Sequence, residues 1–151
     1  MSRDSRLARV VHVLIHMDNF GGVLSSETIG VLLDTNPVVV RRLLGRLRAA
    51  GYVQADRGPG GGWRPVKRLD EVTLLELHRL LRDASIISVA PSQDHATCRV
   101  EAAANHAIEN AGRAATQAFE DVLGRVTLAD VRARAARVAP AGQDVTVATP
   151  S

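Results

Sequence analysis

The chain has 151 residues, 46% of them hydrophobic, and a net charge of +3. That is enough apolar material for a domain with its own core, and it excludes a wholly disordered chain. Aromatics supply only 3% and cysteine a single residue, so the core must come from Leu, Val, Ile and Ala, and an intrachain disulfide framework is excluded. No apolar run approaches the ~20 residues of a membrane span. Met1-Ser2-Arg3-Asp4 opens without the apolar stretch of a signal peptide. The expectation is a soluble, cytoplasmic protein.

Leu7, Val10, Val11, Leu14 and Met17 recur at helical spacing, which predicts a first amphipathic helix over 5–18. His12 and His16 lie one turn apart on it. Such a pair can hold a metal, but no third ligand follows nearby and the His-Glu-x-x-His pattern is absent. A solvated or interfacial pair is the expectation. Phe20-Gly21-Gly22 closes this helix. Ser25 or Ser26 can cap a second one running to Leu33, with Ile29, Leu32 and Leu33 inward. Asp34-Thr35-Asn36 forms the turn.

Asn36 is a good N-cap and Pro37 suits the first helical position, so a third helix is predicted over 37–50. Val40, Leu43, Leu44 and Leu47 make its buried stripe, and Gly51 ends it. A short strand follows at Tyr52-Val53-Gln54-Ala55. Trp63-Arg64 begins the return strand, and Pro65 should sit at an edge or end it early. Thr73 with Glu76 reads as a capping box and Val72 with Leu77 as a hydrophobic staple, predicting a helix from Leu74 to Arg82.

The stretch 85–96 reads as a linker broken by Pro91. A long alanine-rich helix is expected over 97–124. Val100, Ala104, Ala107, Ala111, Ala115, Ala118 and Val122 line it at steps of three and four. So long a stripe exceeds what a head of about 80 residues covers, and it reads as a dimerisation helix, with a helix packed within the chain as the alternative. Thr127-Leu128-Ala129-Asp130 starts a short last helix to Val138. The tail 139–151 has little to bury and is expected to be disordered.

The fold class expected is therefore mainly α. A winged helix-turn-helix head with a two-stranded wing occupies 1–84. The dimerisation helix and a short final helix occupy 97–138.

Charge is placed unevenly. From Arg41 to Arg68 there are eight basic residues (Arg41, Arg42, Arg46, Arg48, Arg57, Arg64, Lys67 and Arg68) against Asp56 alone. A local positive face beside a helix and a glycine-tipped hairpin points to double-stranded DNA. The amino end of the third helix should enter the major groove with Thr35, Asn36, Val38, Val39 and Arg42 nearest the bases. Arg41, Arg46 and Arg48 are placed for phosphates. In the wing, Gly58, Gly60, Gly61 and Gly62 allow close backbone approach, and Arg57 can reach the minor groove. A nucleotide-phosphate loop is disfavoured, because no Lys-Ser or Lys-Thr follows and the loop runs into a strand.

Three stretches, Leu32-Leu33-Asp34-Thr35-Asn36-Pro37, Leu43 to Val53 and Arg57-Gly58-Pro59-Gly60-Gly61-Gly62-Trp63, resemble the Rrf-two family of bacterial winged-helix repressors, the IscR, NsrR and CymR group. Val72-Thr73-Leu74-Leu75-Glu76 continues the match, which is strong in the head and looser behind it. The resemblance implies a homodimer on a palindromic operator, usually repressing. Many members hold an iron–sulfur cluster on three cysteines about six residues apart. The corresponding steps here read Ser92, Cys98 and Ala104, so no cluster and no other metal is expected, even with His95 and His106 nearby.

Cys98 then reads either as a thiol switch, favoured by the helix start and by Arg99, or as a small apolar cysteine without a sensing role. Control by a small molecule or protein partner, with Cys98 structural, is the alternative regulator. A purely structural dimer module remains a further reading. No Ser-His-Asp arrangement, carboxylate pair or cysteine pair supports an enzyme.

Overall fold

A computed structural model describes residues 5–81, 91–92 and 98–138. The expectations for most of the linker, for His95 and for the tail 139–151 lie outside the described residues.

Helix α1 spans Ser5–Phe20 and buries Val10, Val13, Leu14 and Met17. It runs two residues past the predicted end and stops where Gly21 enters the left-handed region at φ 68°. Helices α2 (Ser26–Leu32) and α3 (Pro37–Ala49) follow, with Ser25 and Asn36 as their caps. Strands β1 (Val53–Asp56) and β2 (Gly62–Pro65) pair antiparallel, Val53 opposite Pro65 and Asp56 opposite Gly62. Pro65 ends its strand, as its missing N–H requires. A 3-10 turn at Leu69–Glu71 leads to α4 (Leu74–Leu81).

The predicted capping box is formed: Thr73 N–H donates to Glu76 Oε2 at 2.8 Å and Glu76 N–H to Thr73 Oγ1 at 3.2 Å. Helix α5 spans Arg99–Gly124 and α6 spans Leu128–Val138.

Met17, Ile29, Leu44, Leu47, Leu77 and Leu128 are the largest fully buried side chains. Each contributes about 1.5–3 kcal/mol by leaving water. They gather α1, α2, α3, α4 and the start of α6 around one centre.

Leu128 belongs there because a second capping box turns the chain back onto the head. Thr127 N–H donates to Asp130 Oδ2 at 2.9 Å, and Asp130 N–H to Thr127 Oγ1 at 3.1 Å. Two main-chain bonds secure the return, Leu74 N–H to Val126 O and Leu128 N–H to Val72 O, both 2.9 Å. Arg132 meets Asp18 at 2.8 Å, and Arg79 meets Glu120 at 2.7 Å.

The carboxyl half of α5 thus lies against α4, with Phe119 edge-on to His78. The amino half does not. From Arg99 to Ala111 no residue is buried, and Val100 is 77% exposed.

Candidate nucleic-acid interface

The geometry of α2, the turn and α3 follows from four local devices. Ser25 Oγ accepts from Thr28 N–H at 3.1 Å and starts α2. Thr35 N–H bonds Gly30 O at 2.9 Å, closing the turn. A Cβ at Gly30 would stand 2.8 Å from Thr35 O, so only glycine admits this approach. Asp34 takes the left-handed conformation at φ 47°, which Asp tolerates better than most residues. Asn36 Oδ1 accepts from Val38 N–H at 2.8 Å, and Pro37 occupies the first turn of α3.

Helix α3 buries Val40, Leu44 and Leu47. At helical spacing the opposite side carries Val38, Arg42, Gly45 and Ala49, all exposed. Arg41 and Arg48 flank that side on the edge toward α2, while Val39 and Arg46 flank it on the other. Arg42 and Arg48 have no ion-pair partner among the described residues. Arg41 does: its Nη2 meets Glu27 Oε1 at 2.6 Å. Arg46 Nη2 reaches the Leu81 carbonyl at 3.5 Å, a long bond to the end of α4. Asn36 is exposed and spends its side-chain oxygen on the cap. Thr35 is half-buried.

The wing tip is set by Gly58 and Gly60 at φ 95° and 76°. Gly61 N–H bonds Gly58 O at 2.9 Å, and Arg57 stands exposed without an ion pair among the described residues. Asp56 pairs with Arg64 at 3.1 Å, so the acid opposes a strand arginine and leaves Arg57 uncompensated.

The wing is fixed to the helices by contacts that periodicity does not reveal. Leu24 and Trp63 exchange both main-chain bonds, at 2.9 and 2.8 Å, and Trp63 Nε1 donates to Ser26 Oγ at 3.0 Å. Ser26 is a buried polar residue in the first turn of α2. Gly62 faces the same junction, where a Cβ would lie 2.5 Å from Leu24 O. The wing strands are thus held to the start of α2 through Leu24, Ser26 and Trp63, and β1 packs against α3. No local pattern signals the roles of Glu27, which pairs with Arg41, and Trp63, which ties β2 to α2.

Residues 3–134 match the family described as Rrf2, iron-dependent transcriptional regulator. The chain belongs to the Rrf2 family. It is 30% identical over 131 residues to the HTH-type transcriptional regulator YwnA of Bacillus subtilis (strain 168), covering 85% of this chain and 95% of that one. A structure described as a DNA-binding protein is 29% identical, with a TM-score of 0.67 over 85% of this chain and 99% of its own. A transcriptional regulator from Lactobacillus plantarum shares the fold at a TM-score of 0.75 and 21% identity, over 89% of this chain and 91% of its own.

Iron dependence raises the question of ligands in this Rrf2 protein. Cys98 is exposed at the N-cap of α5. Ala104 offers no donor atom. Ser92 lies beside α5, where Asn105 clasps its main chain through bonds of 3.0 and 2.8 Å. His106 Nδ1 is engaged by Asn110. Among the described residues no three His, Cys, Asp or Glu side chains converge. One thiolate with a hydroxyl and a methyl group does not fit an iron–sulfur cluster.

His12 and His16 stack edge to face, centroids 4.5 Å apart, also without a third candidate ligand among the described residues. Partial burial, and then His16, hold the His12 pKa below the usual histidine value.

Proposed function

We propose that this Rrf2-family transcriptional regulator is a cytoplasmic repressor that acts as a homodimer on a palindromic operator. The observation that carries the reading is the outward side of α3, where Arg42 stands exposed between Val38 and Gly45 without an ion pair among the described residues; the wing arginine Arg57 is likewise exposed and unpaired among them. Arg42 is suited to a guanine edge and Val38 to a thymine methyl. Arg48, with Arg41 and Arg46, is suited to the phosphates on either side.

Pairing of two copies is supported by the amino half of α5, whose Val100 and Ile108 are exposed. An isolated helix gains its stability from a covered apolar face. Two joined heads would read two half-sites, and occupancy of such a site blocks access to it.

Cys98 is the proposed sensing residue. It is exposed, and its thiol pKa is held below the usual value by the first-turn N–H groups of Glu101 and then Val100. Arg99 is not among the groups that lower it. An exposed thiolate at a helix start is a nucleophile toward peroxide: sulfur takes one oxygen as sulfenate and water is released.

The test is selection of bound fragments from a random duplex pool, with reduced and peroxide-treated protein in parallel. The expected result is one inverted repeat, enriched by the reduced protein and released on oxidation by the wild type but not by C98S. Failure to enrich any sequence overturns the operator reading. Equal release from C98S overturns the switch and leaves control by a small molecule or partner protein.

A further inference from the structure

The Glu27–Arg41 pair does not serve the interface as described above, and its role rests on that reading. Glu27 stands on α2 and Arg41 on the adjoining flank of α3, their side chains 64% and 55% exposed. Arg42 and Arg48 on the same helix have no such partner among the described residues. The pair therefore places a carboxylate beside the outward side of α3, with the exposed Asp34 of the turn lining the same hollow, and it occupies a cation suited to a phosphate.

We propose that Glu27 is an electrostatic brake, a residue that competes with DNA phosphate for Arg41 and sets affinity without altering sequence preference. Exposed bridges are weak, so a phosphate displaces the carboxylate, and the lost bridge is subtracted from every complex alike. The repulsion between the freed Glu27 carboxylate and the same phosphate adds to the effect. Glu27 stays ionised near neutrality, because its own main-chain N–H, joined by Ser25 and Arg41, holds its pKa below the usual carboxylate value against the opposing effect of burial.

The experiment compares wild type, E27Q, R41A, the E27Q/R41A double variant and R42A on a selected operator fragment and on a scrambled duplex, across a salt series. E27Q should tighten both duplexes by a similar factor, about fivefold at ~0.15 M salt. The log–log salt slope should stay close to that of wild type, because Arg41 reaches a phosphate in both proteins. The gain should shrink in the R41A background to the share that repulsion alone supplies.

Wild-type affinity in E27Q would overturn the inference, as would a gain of undiminished size without Arg41. A change confined to the operator would overturn it too, since Glu27 would then be orienting Arg41 toward a base. E27A provides a second removal of the charge, and thermal midpoints verify that each variant is folded. R42A separates the two levels of argument. If it binds like wild type, the interface reading fails. If R42A is impaired and E27Q is inert, only the brake fails.

Discussion

Trp63 Nε1 donates to Ser26 Oγ at 3.0 Å, joining the returning wing strand to the first turn of α2. The bond is shielded, because Ser26 is 7% exposed. With the paired main-chain bonds between Leu24 and Trp63, it fixes the wing relative to the helix-turn-helix.

W63F keeps most of the ring packing and removes the donor. A buried hydroxyl left without its partner costs about 1–3 kcal/mol. Urea unfolding of W63F against wild type should show a loss in that range, and S26A should add little to it. An unchanged midpoint in W63F would show the bond to be idle.

Asn36 has two separable duties. As N-cap it accepts from Val38 N–H at 2.8 Å, and N36A should cost about 1 kcal/mol. N36D keeps an acceptor in the same place and should hold stability near wild type, yet it sets a negative charge before the first turn of α3. DNA affinity should therefore fall in N36D while the unfolding midpoint stays. Loss of stability without loss of affinity in N36D would reverse this assignment.

The ordering of elements was legible because each start has a local signal. Asn36-Pro37, the Thr73/Glu76 box and the Leu/Val periodicity all act within a few residues of chain. The wing glycines were equally plain. What was not legible depends on partners far away in sequence. Glu27 meets Arg41 across 14 residues, Trp63 meets Ser26 across 37, and Arg132 meets Asp18 across 114. The basic run from Arg41 to Arg68 read as one field, whereas the fold divides it: Arg41 and Arg64 face carboxylates, and Arg42, Arg48 and Arg57 do not. The weaker-looking Thr127/Asp130 signal proved a full box, because an aspartate reaches back as well as a glutamate does there.

Ile108 lies in the uncovered amino half of α5 and is 45% exposed. I108E should leave the head folded and turn a paired assembly into single chains in sedimentation velocity. Operator affinity should then drop on the order of 10²-fold as the second contact becomes intermolecular. A single-chain species in the wild type would refute the pairing directly.

Cys98 should alkylate faster at neutral pH than a free cysteine, because the first-turn N–H groups of Glu101 and Val100 favour its thiolate. The pH profile of iodoacetamide labelling should have its midpoint below that of cysteine in an unfolded peptide. A midpoint at or above the peptide's would remove the electrostatic basis for sensing.

The main-chain bonds joining residues 72–74 to residues 126–128 leave little play between the head and the shaft of α5. In a paired assembly the distance separating two recognition helices would be a property of solid pieces rather than of a hinge. A single base pair inserted between half-sites turns one of them by about a tenth of a helical turn, and such a molecule has no slack with which to follow.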